Sequence, residues 1–234
     1  RDDTEEARQI IDLIHRCDPE ETLAILVRSR THASAVLAEL DRLKRDQPRY
    51  RYQAINFTPL ANTALIKDLV SLTLALTQPA DRLAWLATLR TPCIGLDLAD
   101  LDALVAGDSG KIILDAISGT GGAMDLSAGG SQRLQRTGPV LLKALKRRGR
   151  QSVRSLVEST WIELGGPACV ENSSELNDAA TYFNMLDSMQ DEDLAIDRDT
   201  LDLRMKDLYA EPDADANKKL QVLTIYAAKG LQFD

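Results

Sequence analysis

The sequence has 234 residues, a hydrophobic fraction of 44% and a net charge of −8 at pH 7. This composition is that of a globular chain with one large or two small domains, and it excludes an intrinsically disordered protein. The acidic balance is unlike that of most free-standing nucleic-acid binders, which are basic because they neutralise phosphates. The charge is uneven, however, since residues 143–154 are rich in Lys and Arg and residues 186–215 in Asp and Glu.

No apolar run approaches the roughly 20 residues that a membrane-spanning helix needs. The first residues are charged and lack the apolar core of a signal peptide. Cys17, Cys93 and Cys169 lie far apart without C-x-x-C spacing, which argues against a zinc site and against a disulfide framework. We therefore expect a cytoplasmic protein with no membrane partner.

The chain begins with alternating helical and extended patterns. A helix is predicted over 4–16, a strand over 22–28, a helix over 32–45 and a short strand over 50–57. This α-β-α-β order is typical of a parallel sheet covered by helices.

From Pro59 the pattern becomes helical without strands. Helices are predicted over 61–77, over 82–90 with Asp81 as its N-cap, and over 140–148, 175–190 and 199–210. Another helix begins near 152 and stops at Gly165-Gly166-Pro167, and Asp97 and Asp100 precede further short helices. The Gly/Ser-rich residues 118–131 are predicted to form a surface loop, and residues 211–217 a polar linker.

The final apolar segment, LQVLTIY at 220–226, predicts a strand that returns to the first sheet. The predicted fold class is therefore α/β plus all-α. One α/β domain, made of residues 1–57 and 218–234, is interrupted by a helical insert over 58–217.

Three segments carry a resemblance to a known family. Thr224-Ile225 and Ala228-Lys229-Gly230-Leu231, with Phe233, resemble motif V of superfamily 1 DNA helicases of the UvrD/RecB/AddA type. The strand and arginines of 22–30 resemble motif IV of that family, and residues 65–104 resemble the opening of its subdomain 2B. The three segments occur in the family's order along the chain.

The resemblance implies a partial RecA-like parallel sheet, with subdomain 2A (1–57 and 218–234) interrupted by the helical subdomain 2B (58–217). It implies a full protein that binds ATP and Mg²⁺, translocates 3′→5′ on single-stranded DNA and acts in recombinational repair. Its implied partners are single-stranded and duplex DNA, an N-terminal RecA-like domain and a nuclease domain or subunit. The sequence contains no G-x-x-x-x-G-K-[ST] phosphate loop, so we expect the chain alone to bind no MgATP tightly and to lack ATPase activity.

Arg28 is the candidate catalytic residue. A guanidinium at the end of a strand can bind phosphate oxygens bidentately, and the resemblance implies that it contacts the γ-phosphate of ATP. Its position alone is more typical of an arginine that forms a salt bridge with a neighbouring helix. Many relatives place Tyr before this Arg to stack on adenine, whereas this sequence has Val27.

The segment after the last strand supplies the other candidates. The resemblance implies nucleotide contacts for Lys229, Gly230 and Gln232, and single-strand contacts for Thr224 and Tyr226. Tyr226 stands in place of the usual His, and Gln232 in place of a Glu. A strand followed by a tight turn, with no ligand, is the alternative interpretation of this segment.

Within the basic stretch, Lys143, Arg147 and Arg148 are candidates for contacts with duplex phosphates, although a solvated helix face is the interpretation that the charge pattern favours. Trp85, Trp161, Tyr182 and Phe183 lie on apolar helical stripes and are predicted to be core residues. A different class of function also stays open: a non-catalytic helical scaffold or protein-interaction module with relic helicase motifs. The substitutions at Val27, Tyr226 and Gln232 give that alternative its weight.

Overall fold

The computed structural model describes residues 3–18, 21–105, 113–118, 126–212, 216, 219–229 and 231. The chain divides into two units. Unit 1 comprises Arg1–Thr58 and Tyr209–Asp234, and unit 2 comprises Pro59–Leu208. The fold is mixed α/β and mostly helical, with one small parallel sheet in unit 1.

Unit 1 contains two helices and three strands within its described residues. The helices are α1 (Asp3–Arg16) and α2 (Ser34–Leu43), and the strands are β1 (Leu23–Val27), β2 (Gln53–Ala54) and β3 (Leu220–Thr224). Short 3-10 turns occupy Arg30–Ala33 and Pro48–Tyr50. The predicted helix 4–16 and strand 22–28 are therefore confirmed, and the predicted helix 32–45 begins as a 3-10 turn.

The sheet has the strand order β1-β3-β2, and both pairings are parallel. The last strand in sequence is thus the central strand in space. Val222 and Leu223 of β3 are almost completely buried, as expected for the middle strand of a parallel sheet. The predicted return of segment 220–226 to the first sheet is confirmed, although the strand itself ends at Thr224.

The core of unit 1 lies between the sheet and its two helices. Ala7 and Ile14 of α1 and Val36 and Leu40 of α2 pack in one cluster with alternate residues of β1 and β3. Val27 belongs to this cluster and is 9% exposed. The Val27 side chain is therefore part of the core of unit 1.

The strand predicted over 50–57 is wrong in extent. Only Gln53 and Ala54 pair with β3. Tyr50 closes a 3-10 turn that begins at Pro48, and its buried hydroxyl lies 3.1 Å from the Nδ1 atom of His15. Asn56 then adopts a left-handed conformation with φ of 61°, which ends the extended segment.

The regular elements among the described residues of unit 2 are helices, joined by turns and loops. Its helices are α3 (Ala64–Thr77), α4 (Arg82–Arg90), α5 (Leu98–Val105), α6 (Ile113–Ile117), α7 (Ala128–Arg147), α8 (Val153–Glu163), α9 (Ser173–Asp191) and α10 (Arg198–Met205). Helix α3 is central, since it contacts α4, α8, α9 and α10. Its sequence is apolar on nearly all sides, which is typical of a buried helix.

Local capping signals determine several helix ends in unit 2. The Asp81 side chain accepts a hydrogen bond from the Ala84 N–H at 2.9 Å, so the predicted N-cap of α4 is confirmed. Ser152 and Asn172 cap α8 and α9 in the same way. Gly165 has a φ of 88° and ends α8 as predicted.

Two predictions, one about the start of α7 and one about the position of Asp100, are wrong. Residues 128–131 are helical rather than part of a loop, and α7 runs over 20 residues with Pro139 in its interior. Asp100 is not ahead of a helix but inside α5, which Asp97 caps by accepting the Asp100 N–H at 2.8 Å. The buried Asp100 carboxylate accepts hydrogen bonds from the Ser127 N–H at 2.8 Å and hydroxyl at 3.0 Å, and Ser127 is the N-cap of α7.

The predicted aromatic core residues are buried. Trp85 and Tyr182 have no exposed surface, and Phe183 and Trp161 are 2% and 7% exposed. The Tyr182 hydroxyl lies 2.8 Å from the Thr73 hydroxyl inside unit 2, and burial raises the pKa of Tyr182. These residues therefore have a structural role in unit 2.

Candidate functional site

The carboxyl ends of β1 and β3 lie side by side, although the whole of unit 2 separates them in sequence. The two strands pair in parallel with Val27 opposite Thr224. The Ile225 N–H continues the pairing, since it donates a hydrogen bond to the Val27 carbonyl at 3.0 Å. The segments that leave the two strands, 28–30 and 225–229, therefore start from neighbouring positions at one edge of the sheet. Carboxyl ends of parallel strands are where open α/β sheets bind ligands.

The chain turns sharply after β3. The Ala228 N–H donates to the Thr224 carbonyl at 3.1 Å, which closes one helical turn. The Thr224 hydroxyl accepts the Ala227 N–H at 3.3 Å, in the manner of a helix N-cap. Thr224, a predicted single-strand contact, is half-buried, and its hydroxyl takes part in the turn.

The other predicted residues of this edge are open to solvent. Arg28 and Lys229 are exposed, and Tyr226 is 86% exposed. Among the described residues, neither Arg28 nor Lys229 forms an ion pair or a side-chain hydrogen bond. The salt bridge to a neighbouring helix, which position alone favoured for Arg28, is thus not formed with any described residue. Gly230 and Gln232 lie outside the described residues.

Tyr209 is a residue of this region that sequence reasoning missed. The Arg30 guanidinium lies over its ring, with the guanidinium carbon 4.1 Å from the ring centroid. Arg30 also donates a hydrogen bond to the Tyr209 hydroxyl. Cation–π contact and a hydrogen bond together hold Arg30 in place, so Arg28 is the cation of this loop that keeps a free guanidinium. No signal in the sequence around residue 209 indicated this pairing.

The basic stretch of unit 2 is partly neutralised. Glu163 of α8 accepts hydrogen bonds from Lys143 at 2.9 Å and from Arg147 at 3.0 Å. These two bonds lower the pKa of the Glu163 carboxyl. Two of the three predicted duplex-DNA contacts thus share one carboxylate, whereas Arg148 at the C-cap of α7 is exposed and forms no ion pair with the described residues.

Within the part of the chain that the structure describes, no group of three or more His, Cys, Asp or Glu residues is arranged to hold a metal ion. The helices described there include none with the length and apolar character that a membrane crossing requires. At the sheet edge the structure describes the exposed Arg28 guanidinium and the exposed Lys229 ammonium group, which are groups able to bind an anion.

Comparison with known proteins does not identify a family for this chain. No protein-family model matches the chain, and no curated protein matches it.

Proposed function

We propose that this chain is part of an ATP-dependent DNA helicase of the UvrD/RecB/AddA type. In this proposal, unit 1 is a portion of the RecA-like subdomain 2A and unit 2 is the helical insert 2B. The observation that carries the proposal is the parallel pairing of β1 with β3, with Val27 opposite Thr224. It brings together the ends of the two segments that resemble motifs IV and V.

The proposed role of the sheet edge is to bind phosphate. Arg28 would contact the terminal phosphate of ATP, with Lys229, Gly230 and Gln232 as further nucleotide contacts. The exposed, unpaired guanidinium of Arg28 fits this role, because an arginine already held by a carboxylate would have to break that pair first. Bound MgATP would supply the phosphate bond whose hydrolysis drives translocation, and its phosphate loop and metal-binding carboxylates would come from the N-terminal RecA-like domain.

DNA binding at this edge is proposed for Thr224 and Tyr226. An exposed tyrosine ring can stack on an unpaired base, a contact that contributes about 1–3 kcal/mol per base. The Thr224 hydroxyl accepts the Ala227 N–H, and its own O–H remains able to donate a hydrogen bond to a DNA phosphate. The proposed parent protein would change the orientation of 2B during its cycle, and an identical 2B orientation with and without DNA would contradict this.

The decisive measurement is fluorescence anisotropy of the chain with labelled single-stranded, duplex and forked DNA across a salt series. Without nucleotide, the exposed cations Arg28 and Lys229 of this edge are also open to DNA phosphates. We therefore expect Arg28→Ala and Lys229→Ala each to weaken single-strand binding and to make the salt slope shallower by about 0.7 per lost phosphate contact. Arg45→Ala is the matched control, since Arg45 is an exposed arginine that follows α2 and lies outside segments 28–30 and 225–229, which leave the two strands. Equal effects of Arg28→Ala and Arg45→Ala would count against the proposal.

A phosphate-release assay tests the enzymatic part. The chain alone is expected to release no phosphate from ATP, with or without DNA, because it has no phosphate loop. DNA-stimulated release that disappears in Arg28→Ala would overturn that expectation and place a complete ATPase site in this chain.

The second candidate is the non-catalytic helical scaffold, which the pairing of Lys143 and Arg147 with Glu163 favours. Glu163→Gln separates the two candidates, because it frees both cations. If this face contacts duplex DNA, we expect Glu163→Gln to tighten duplex binding and steepen its salt slope by up to about 2. Undetectable or salt-insensitive DNA binding by both wild type and Glu163→Gln would support the scaffold.

A further inference from the structure

Unit 2 contains a cavity of about 160 Å³ between the starts of α3 and α9 and the C-terminal ends of α4 and α8. Its walls include the apolar side chains of Leu65, Leu72, Trp161 and Leu164. A cavity of roughly 150 Å³ with apolar walls is large enough to admit benzene. The space therefore fits one compact ring or a short branched hydrocarbon.

Three polar side chains on the cavity wall have no hydrogen-bond or ion-pair partner among the described residues. They are Asp68 on α3, Trp161 on α8 and Glu171, of which Glu171 is exposed to solvent. By contrast, Glu175 on the same wall already accepts the Glu171 N–H at 2.8 Å. A half-buried carboxylate that lacks both a hydrogen bond and a counter-ion is costly to hold in a protein, so the Asp68 carboxylate is the group that a ligand would satisfy.

The ionisable side chains in the described lining of the cavity are all acidic. Its described lining includes the carboxyl groups of Asp68, Glu171 and Glu175 and the thiols of Cys93 and Cys169, but no Lys, Arg or His. Burial raises the pKa of Asp68 to about 6, and no nearby cation opposes that shift. Burial also raises the pKa of the Cys93 thiol, so that thiol supplies no nucleophile near neutral pH. The cavity repels anions and favours a cation.

From this arrangement we infer that the cavity is a binding site for a small organic cation, with an apolar body against Leu65, Leu72 and Trp161 and a protonated nitrogen on the Asp68 carboxylate. A bare metal ion is the wrong ligand, because the described residues offer no group of three ligating side chains. A purely apolar ligand would leave Asp68 unsatisfied. The inference concerns unit 2 alone and is independent of the function proposed for unit 1.

Titration of the ¹⁵N-labelled chain with benzylamine, cyclohexylamine and benzamidine tests the site by NMR. The readout is the indole N–H signal of Trp161. Trp85 provides an internal reference in the same spectrum, because its indole N–H is buried, donates to the Pro79 carbonyl at 3.0 Å and lies outside the cavity lining. Benzyl alcohol is the neutral match of benzylamine in size.

We expect benzylamine to shift the Trp161 signal and leave the Trp85 signal in place. Benzyl alcohol should bind about tenfold more weakly, because it lacks the charge that pairs with Asp68. Asp68→Asn should lower the affinity for benzylamine to that for the alcohol, and Asp102→Asn, at an exposed residue of α5, should leave it unchanged. The affinity for benzylamine should also fall about tenfold between pH 7 and pH 5, as Asp68 becomes protonated.

Three results would overturn the inference. The first is that none of the three organic cations shifts the Trp161 signal. The second is equal affinity for benzylamine and benzyl alcohol, which would make the site apolar only and which needs no variant to measure. The third is full affinity in Asp68→Asn.

Discussion

Replacing Gly130 by alanine tests whether the buried carboxylate of Asp100 determines the start of α7. A Cβ atom at residue 130 would lie 2.2 Å from the Asp100 Oδ2 atom. Little flexibility exists to relieve this overlap, because Asp100 has a short side chain, is 2% exposed and accepts two hydrogen bonds from Ser127. The Asp100 side chain must therefore move, and both hydrogen bonds are broken or stretched.

The expected cost follows from these contacts. A hydrogen bond to a charged group contributes about 1.5–3 kcal/mol, so the loss of two costs about 3–6 kcal/mol. The exchange of glycine for alanine in a helix returns about 1 kcal/mol. Partial relaxation of α5 and α7 reduces the balance, so we expect Gly130→Ala to destabilise unit 2 by about 2–4 kcal/mol.

Gly129→Ala is the matched control in the same helical turn. A Cβ atom there would have its nearest neighbour, the Arg133 Nη1 atom, at 3.7 Å. That distance is ordinary van der Waals contact, so Gly129→Ala should stabilise unit 2 by up to about 1 kcal/mol through helix propensity alone.

Urea unfolding followed by tryptophan fluorescence measures the difference. The two tryptophans of the sequence, Trp85 and Trp161, both belong to unit 2, so the signal reports on this unit alone. The midpoint should fall for Gly130→Ala and rise for Gly129→Ala, with little change in m. Equal midpoints for the two variants would refute the role assigned to Asp100.

Two further predictions concern polar groups of unit 2, one a buried hydroxyl pair and the other the half-buried Asp68. Tyr182→Phe should cost about 1 kcal/mol, since the Thr73 hydroxyl keeps its bond to the Leu69 carbonyl at 2.8 Å. Thr73→Val should lower the free energy of unfolding by about 1–3 kcal/mol, since it leaves the Tyr182 hydroxyl buried without a partner. If urea unfolding shows that Tyr182→Phe is the more destabilising of the two substitutions, this prediction is wrong. The pKa of Asp68 is raised from its ordinary 3.8 to about 6, so the native state favours the protonated carboxyl and stability is lost as pH rises from about 4 to about 6. Asp68→Asn should therefore stabilise unit 2 by about 1 kcal/mol at pH 7, a figure reduced because solvent screens this half-exposed group. At pH 4 the substitution should not change the stability. Unfolding curves at the two pH values check this.

The elements that could be predicted from the sequence are those determined by neighbouring residues. Helix α4 is one example, because its apolar pattern and the Asp81 N-cap lie within a few positions of each other. The end of α8 at Gly165 is another, because glycine is the residue that adopts a left-handed conformation without steric cost. The parallel return of the last strand was predicted from its β-branched pattern and from the α-β-α-β order that precedes it.

The start of α7 could not be predicted in the same way. Two adjacent glycines disfavour a helix locally, and the N-cap of α7, Ser127, is held by Asp100 on another helix. The partners of the basic stretch are also distant in sequence, since Glu163 lies on α8 and Lys143 on α7. In each case the deciding contact joins residues that only the folded chain brings together.

The distribution of paired and unpaired cations bears on how any DNA binding should be judged. Lys143 and Arg147 are paired with Glu163, whereas Arg28, Lys229 and Arg148 are exposed without an ion pair among the described residues. With a net charge of −8, repulsion between chain and DNA lowers the affinity whatever the local contacts are. Weak binding alone therefore does not separate a helicase segment from a scaffold. The salt slope does, because it counts the phosphates that particular cations neutralise. A slope that becomes shallower in Arg28→Ala and Lys229→Ala but not in Arg45→Ala identifies the sheet edge as the contact surface even where the affinity is low.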